Sequence, residues 1–428
     1  MGLHNMMSDE MKMLNPSSFS LQKHSKQNGR LSTNTTKQNS TQTQPILPGG
    51  KNGTLALDKS SYGRPENNLP GLIPLHLNEN LFAASKSAMD KAQIVELIEN
   101  NLENLHSYPI DGAQPLQEAI ADNLHIKPDN VVLSAGSSEL LRHIIFYLLK
   151  ENDTILLPDA SWSFYKTITT QIAANVTTFP LLDVGNNYVY DVDVIAAKIE
   201  SCQPKVVLIC SPNNPTGNII PIEDLLWLVR QYPHVDFILD EAYHGFYNTY
   251  SVAQERELFN STKNRNLFVI RTFSKFYGLA NLRIGFAICH EVDAQNLQKI
   301  APVFGLPSLN QTLAAHRLTD QLYWAQVQQE YAIVNAYMMA SFKQIRGFTP
   351  YKTYANFILI KHDSRWLALE QILLDYGFKI KRETVNGKKN YFRITFADIG
   401  TMKRLVSVIR HLATKTTHFS PQNEYANN

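Results

Sequence analysis

Between Val131 and Cys289 the chain alternates short, almost wholly apolar runs with longer amphipathic segments. The runs are Val131 to Leu133, Thr154 to Leu157, Val176 to Pro180, Val206 to Cys210, Phe237 to Leu239, Leu267 to Ile270 and Arg283 to Cys289. Their length and apolar, β-branched content predict seven strands. Val206-Val207-Leu208-Ile209-Cys210 has no polar face, which suits a strand covered by helices on both sides. Segments such as Ser138 to Lys150 and Ile222 to Gln231 predict the covering helices. Strand and helix in alternation predict an α/β fold with a mostly parallel seven-stranded sheet.

The texture changes on either side of this region. After Pro302 long helices run through Leu309 to Ile345, and a shorter mix of strand and helix follows from Asn356 to Leu412. We read a large domain over residues 106–302 and a smaller α/β C-terminal domain over 303–412, with an N-terminal arm over 70–105. Residues 413–428 form a polar tail expected to fray. From Ser32 to Gln44 the chain is Ser, Thr, Asn and Gln with one Lys. Such a run cannot offset its ordering entropy by burial, so residues 1–69 are expected to be a disordered leader.

Composition narrows the class. A chain of 428 residues, 44% of them hydrophobic, can bury a core without disulfides or a structural metal. Its three cysteines, Cys202, Cys210 and Cys289, lack paired spacing, which argues against a secreted disulfide scaffold and a zinc site. No metal is expected, and a cytoplasmic setting is. Forty basic against 38 acidic side chains leave +2, too little field to gather nucleic acid or anionic lipid. No apolar stretch approaches the ~18 residues of a membrane span. We therefore expect a soluble protein with no nucleic-acid or membrane partner.

Ligands of parallel sheets bind beyond the carboxyl ends of the strands, and those ends carry the chemistry here. The first run is followed by Ser134-Ala135-Gly136-Ser137-Ser138-Glu139, small residues that let backbone amides approach an anion at a helix start. Read alone, it is an ordinary helix cap. The second ends near Trp162, the fourth in Ser211-Pro212-Asn213-Asn214-Pro215-Thr216-Gly217, the fifth in Asp240-Glu241-Ala242-Tyr243. The sixth ends in Thr272-Phe273-Ser274-Lys275, with Arg283 opening the seventh. A lone lysine is ordinarily a solvated surface group. Grouped at one sheet edge, these residues ask for a composite ligand. A phosphate suits Gly136, Ser274 and Arg283; an aromatic ring suits Trp162; a protonated ring nitrogen suits Asp240. A phenolic oxygen suits Asn214 and Tyr243, and a carbonyl carbon open to an amine suits Lys275. Pyridoxal 5′-phosphate has all of these parts.

The sequence resembles the class I and II aminotransferases, within fold type I of the pyridoxal-phosphate enzymes, and most of all their histidinol-phosphate aminotransferase branch. The resemblance runs from about Pro74 to Leu412. It rests on Leu77-Asn78-Glu79-Asn80, Tyr108-Pro109 before Gly112, Ser134 to Ser138, Ser211 to Gly217, Asp240 to Tyr243, Thr272 to Lys275 with Gly278-Leu279, Leu282 to Gly285, and Arg393-Ile394-Thr395. It implies that Lys275 would hold the cofactor covalently and then, freed, act as general base and acid. Asp240 would keep the ring nitrogen protonated, Asn214 and Tyr243 would bind the phenolic oxygen, and Trp162 would stack on the ring. Ser137, Ser138, Thr272, Ser274 and Arg283 would bind the phosphate, joined by Tyr108 of a neighbouring subunit in a homodimer. Arg393 would grip the substrate carboxylate, with Asn214 and Asn80 shaping the substrate pocket. Arg382, in Lys381-Arg382-Glu383, reads equally as a second cation for the substrate side chain and as a solvated charge.

The implied reaction moves an amino group from an amino acid or amino-alcohol phosphate, of histidinol-phosphate-like or aromatic type, to a 2-oxo acid such as 2-oxoglutarate. Leu81 stands where many relatives carry proline, and Asn281 where many carry glycine, which weakens assignment to the histidine pathway itself. A decarboxylase resembling threonine-phosphate decarboxylase is the alternative on the same scaffold. A cofactor-binding regulator is a third, disfavoured because residues 1–69 have no helical apolar period and Lys275 and Arg393 are intact.

Overall fold

The computed structural model describes residues 71–82, 91–103, 105–109, 113–248, 250–302 and 305–416. The expected leader, residues 1–69, lies outside them, as do Gly112 and residues 417–428.

All seven expected strands form one sheet. Across it, in spatial order, lie Val131–Ser134, Gly285–Ile288, Leu267–Thr272, Asp236–Asp240, Val206–Cys210, Thr154–Pro158 and Asn175–Phe179. Gly285–Ile288 is antiparallel to both neighbours, and the remaining pairs are parallel. The strand period of two explains the apolar runs. Val207 and Ile209 enter the core on one face, while Val206, Leu208 and Cys210 enter the core on the other. Helix Ser137–Leu148 brings Leu140, Leu141, Ile144 and Ile145 to the second core, and Ile222–Gln231 brings Leu225, Leu226 and Val229 to the first. Each such side chain, fully buried, contributes about 1.5–3 kcal/mol.

Two sequence boundaries shift. The seventh strand begins at Gly285, not Arg283: Arg283 closes a short 3-10 turn, Ala280–Leu282, with φ at +53°. That turn lets its side chain reach back over the sheet edge. A side chain at Gly285 would collide with the Ser137 backbone, so the strand can meet the helix start only there. At the other end, helix Ile399–Thr416 continues past Leu412, because Leu412 and Ala413 still pack on the core that holds Val406 and Ile409.

The expected long helical stretch is broken into Ser308–Leu318 and Gln321–Lys343, with Asp320 capping the second through the Tyr323 amide at 2.9 Å. Beyond it, Phe348–Pro350, Phe357–His362, Lys388–Thr395 and Lys381–Val385 form an antiparallel sheet in that spatial order. It has its own core, built with Val334 and Met338 of the long helix and Leu405 of the last. The arm joins it. Ile73–Pro74 pairs with Phe378–Lys379, and the Thr395 amide donates to the Leu75 carbonyl at 2.9 Å. This docking carries Leu77 to Asn80 toward the strand end bearing Lys275. No helix among the described residues is long and apolar enough to cross a membrane.

Candidate active site

Asp240 is the last residue of its strand and 1% exposed. Its Oδ2 accepts from the Tyr165 hydroxyl at 2.7 Å and its Oδ1 from the Ala242 amide at 3.0 Å. Burial pushes the carboxyl up, an effect that these two donors partly offset and Glu241 adds to. No Lys or Arg among the described residues forms an ion pair with it. A buried carboxylate so placed suits a cationic ring nitrogen.

Lys275 follows the Thr272-Phe273-Ser274 turn. Its Nζ donates to the Leu77 carbonyl at 3.0 Å and lies 5.7 Å from the centre of the Tyr243 ring. Burial lowers its pKa to about 8, helped by Arg393 and Arg283 and opposed by Glu79. An amine with that value is roughly one-fifth neutral near pH 7.4, against about a thousandth for an ordinary lysine, which raises the share able to condense with an aldehyde.

The expected phosphate residues also meet. Gly136 has φ at +94°, and a Cβ there would come within 2.5 Å of Arg283 Nη2, so the guanidinium lies against the start of helix Ser137–Leu148. Arg283 Nη1 is 3.4 Å from Ser274 Oγ, which accepts from Thr272 Oγ1 at 3.1 Å. Ser137 and Ser138 open the helix. A helix N-terminus, hydroxyls and a guanidinium form a donor set suited to a phosphate.

Opposite, Arg393 is 4% exposed on the second sheet. Its Nη1 bonds Asn214 Oδ1, and its Nη2 donates to the His76 carbonyl at 2.8 Å. Tyr243 is buried, and its hydroxyl accepts from Asn78 Nδ2 at 2.9 Å. Trp162 packs against Phe164 and, edge-on at 5.6 Å, Tyr165. Carboxylate, amine, anion cup and guanidinium thus fit the parts of pyridoxal phosphate and an anionic substrate.

Three further expected residues stand apart from these contacts. Tyr108 is 73% exposed within the subunit, and the partner expected for it lies on a neighbouring subunit. The Asn80 amide is committed to the Phe276 carbonyl at 2.9 Å and the Tyr323 hydroxyl at 3.1 Å, so it anchors the arm beside Lys275. Arg382, exposed, bonds the Leu367 carbonyl and pairs with Glu370 at 3.4 Å; it neighbours Arg393 in sequence register only. Strand alternation turns it to the other face, and Lys381 stands opposite Arg393 instead.

Sequence reasoning missed Tyr165, Asn78, Thr395 and His76. Thr395 Oγ1 accepts from the Asn78 amide at 3.0 Å and donates to its Oδ1 at 3.1 Å, fixing the side chain that reaches Tyr243. His76, beside Lys379, Arg393 and Lys381, is lowered to about 4, chiefly by burial. Asn78 and Thr395 stood inside the motifs Leu77-Asn78-Glu79-Asn80 and Arg393-Ile394-Thr395 without a role of their own, and nothing signalled Tyr165 or His76.

The model of the family "Aminotransferase class I and II" matches residues 70–409. The chain belongs to that family. Pyridoxal 5′-phosphate is accordingly the cofactor of this aminotransferase. A curated relative, histidinol-phosphate aminotransferase 2 of Archaeoglobus fulgidus, is 29% identical over 356 residues, 80% of this chain and 96% of the relative. Among solved structures, the histidinol-phosphate aminotransferase of Sinorhizobium meliloti in complex with pyridoxal-5′-phosphate superposes with a TM-score of 0.71 at 21% identity, covering 80% of this chain and 91% of that one. The L-threonine-O-3-phosphate decarboxylase of Porphyromonas gingivalis does so with 0.65 at 18% identity, covering 78% and 99%. Both likenesses are of fold.

Proposed function

We propose that this aminotransferase takes its amino group from an amino acid or amino-alcohol phosphate, of histidinol-phosphate-like or aromatic type, and delivers it to a 2-oxo acid such as 2-oxoglutarate. The observation that carries the reading is Lys275 beside Asp240's strand end, with a pKa near 8 and buried Arg393 bonded to Asn214. When bound, the cofactor supplies an aldehyde that takes up amines and a ring that withdraws electrons from the substrate's α-carbon. Lys275 would hold it, and its Nζ, once free, would serve as the general base and acid that takes the proton of the substrate's α-carbon and gives it back. Asp240, steadied by Tyr165, keeps the ring nitrogen protonated. Asn214 and Tyr243 hold the phenolic oxygen, Trp162 the ring, and Gly136, Ser137, Ser138, Thr272, Ser274 and Arg283 the phosphate.

Arg393 holds the substrate's anionic group, with Lys381 opposite it in the strand pairing. The working unit is a cytoplasmic homodimer in which exposed Tyr108 of each subunit serves the other's phosphate cup. The large domain of residues 106–302 carries the cofactor residues and the small domain of 303–412 carries Arg393. The decarboxylase alternative shares every cofactor residue, and its support is the weaker, since that likeness is of fold at 18% identity. A donor screen with 2-oxoglutarate decides between them: glutamate formation from a phosphorylated or aromatic donor supports transamination, and carbon dioxide release without consumption of 2-oxoglutarate refutes it.

A further inference from the structure

Arg393 and Lys381 are direct cross-strand partners in the antiparallel pair Lys381–Val385 with Lys388–Thr395. Directly opposed residues share a face of the sheet, and so does the residue two positions on. That residue is Glu383, which stands opposite Tyr391. Its Oε1 lies 3.3 Å from Arg393 Nη1 and 3.5 Å from Lys381 Nζ. The oxygen is buried yet makes no aligned hydrogen bond, and the Arg393 Nε is likewise buried and unbonded. The two ion pairs hold the carboxylate between the cations. Burial of Lys381 lowers its pKa, Glu383 opposes that and Arg393 adds to it.

A carboxylate here occupies part of the charge that a substrate anion would use. Arg393 and Lys381 supply two positive charges, and Glu383 cancels one. A substrate carboxylate brings one negative charge, whereas a phosphate monoester brings about −1.5 to −2 at pH 7. The penalty imposed by Glu383 therefore rises with the charge of the incoming group.

We infer that Glu383 is a specificity-determining residue, an internal carboxylate that competes with the substrate's anionic group for Arg393 and Lys381 and so tilts the choice between the two proposed donor classes from the amino-alcohol phosphate toward the amino acid. The inference rests on the reading of Arg393 as the substrate's anion grip. Among the described residues the ion pairs of Glu383 are with Arg393 and Lys381 and none is with Lys275, so its effect is expected on binding of the anionic group.

The test is steady-state kinetics of the holoenzyme with two donors, an amino-alcohol phosphate and a neutral-side-chain amino acid, in wild type, Glu383→Gln, Glu383→Asp and Arg393→Gln. Removing one like charge from a partly screened site is expected to lower KM for the phosphorylated donor roughly tenfold in Glu383→Gln. For the monoanionic donor the same scaling lowers KM by only about three- to fivefold, so the ratio of the two KM values shifts toward the phosphorylated donor, with kcat unchanged for both. Glu383→Asp, which keeps the charge, retains the wild-type ratio of the two KM values. An unchanged ratio in Glu383→Gln, or a rise in both KM values together, overturns the inference. Arg393→Gln separates that failure from failure of the underlying reading: if it raises both KM values while Glu383→Gln leaves their ratio alone, only the role of Glu383 falls. If Arg393→Gln leaves both KM values unchanged, the anion-grip reading falls with it.

Discussion

The Tyr165 hydroxyl donates to Asp240 Oδ2 at 2.7 Å from a helix that the sequence does not mark as part of the site. Tyr165 is itself buried, and its hydroxyl is pushed well above the ordinary phenol range by burial and by Asp240. The phenol therefore stays protonated and fixes the carboxylate as an acceptor.

Tyr165→Phe removes this donor and keeps the ring. It leaves Asp240 buried with one hydrogen bond fewer, and a bond to a charged group is worth about 1.5–3 kcal/mol. Since Tyr165 lowers the Asp240 pKa within an environment that raises it, the variant's Asp240 titrates higher. We expect roughly tenfold weaker cofactor binding, measured by equilibrium dialysis, with the fold retained by circular dichroism.

Gly136→Ala strikes the phosphate cup. The new Cβ would stand 2.5 Å from Arg283 Nη2 at a backbone φ of +94°, so both the guanidinium and the turn must move. A strained residue of this kind costs about 1–3 kcal/mol. Cofactor affinity is expected to fall about tenfold or further, whereas Gly185→Ala, also at positive φ but with open space around it, leaves affinity alone. Fluorescence titration with the cofactor compares the two.

Lys275 also bears on stability. Its pKa is about 8 in the folded chain against 10.5 unfolded, so between these values the unfolded state binds more protons. Stability of the cofactor-free protein therefore rises with pH across that window, and below pH 8 the full cost of burying the charged form is present. Lys275→Met removes that cost. Urea denaturation of cofactor-free protein at pH 7 is expected to show the variant more stable by on the order of 2 kcal/mol, with the gap closing by pH 10.

Leu208 tests the sheet that carries these residues. It is fully buried in the core that also holds Ile144 and Ile238. Leu208→Ala should cost about 2–5 kcal/mol through lost burial and the cavity left behind, read from the denaturation midpoint.

The seven strands were legible because a strand covered on both faces has nowhere to put a polar residue, and the sheet-edge chemistry followed from the parallel topology. Contacts between distant segments were not legible. Asn78 and Tyr243 are 165 positions apart, and Arg393 and the His76 carbonyl 317 apart, so no local period links them. Of the two readings of Arg382 the structure has the exposed one, and for a related reason: in a strand whose neighbours alternate between faces, adjacency to Lys381 is a reason to point away from Arg393. Tyr165 was hidden because an apolar-faced helix accounts for a tyrosine without invoking its hydroxyl. The last helix outran its expected end because its polar residues conceal the apolar spacing that continues to Ala413.

The most direct measurement of the central claim is the visible absorption spectrum of cofactor-reconstituted wild type beside Lys275→Ala. Wild type is expected to show the visible band of cofactor joined to a lysine amine, and Lys275→Ala to lack it and to lose measurable amino transfer. An identical band in both proteins would contradict the account.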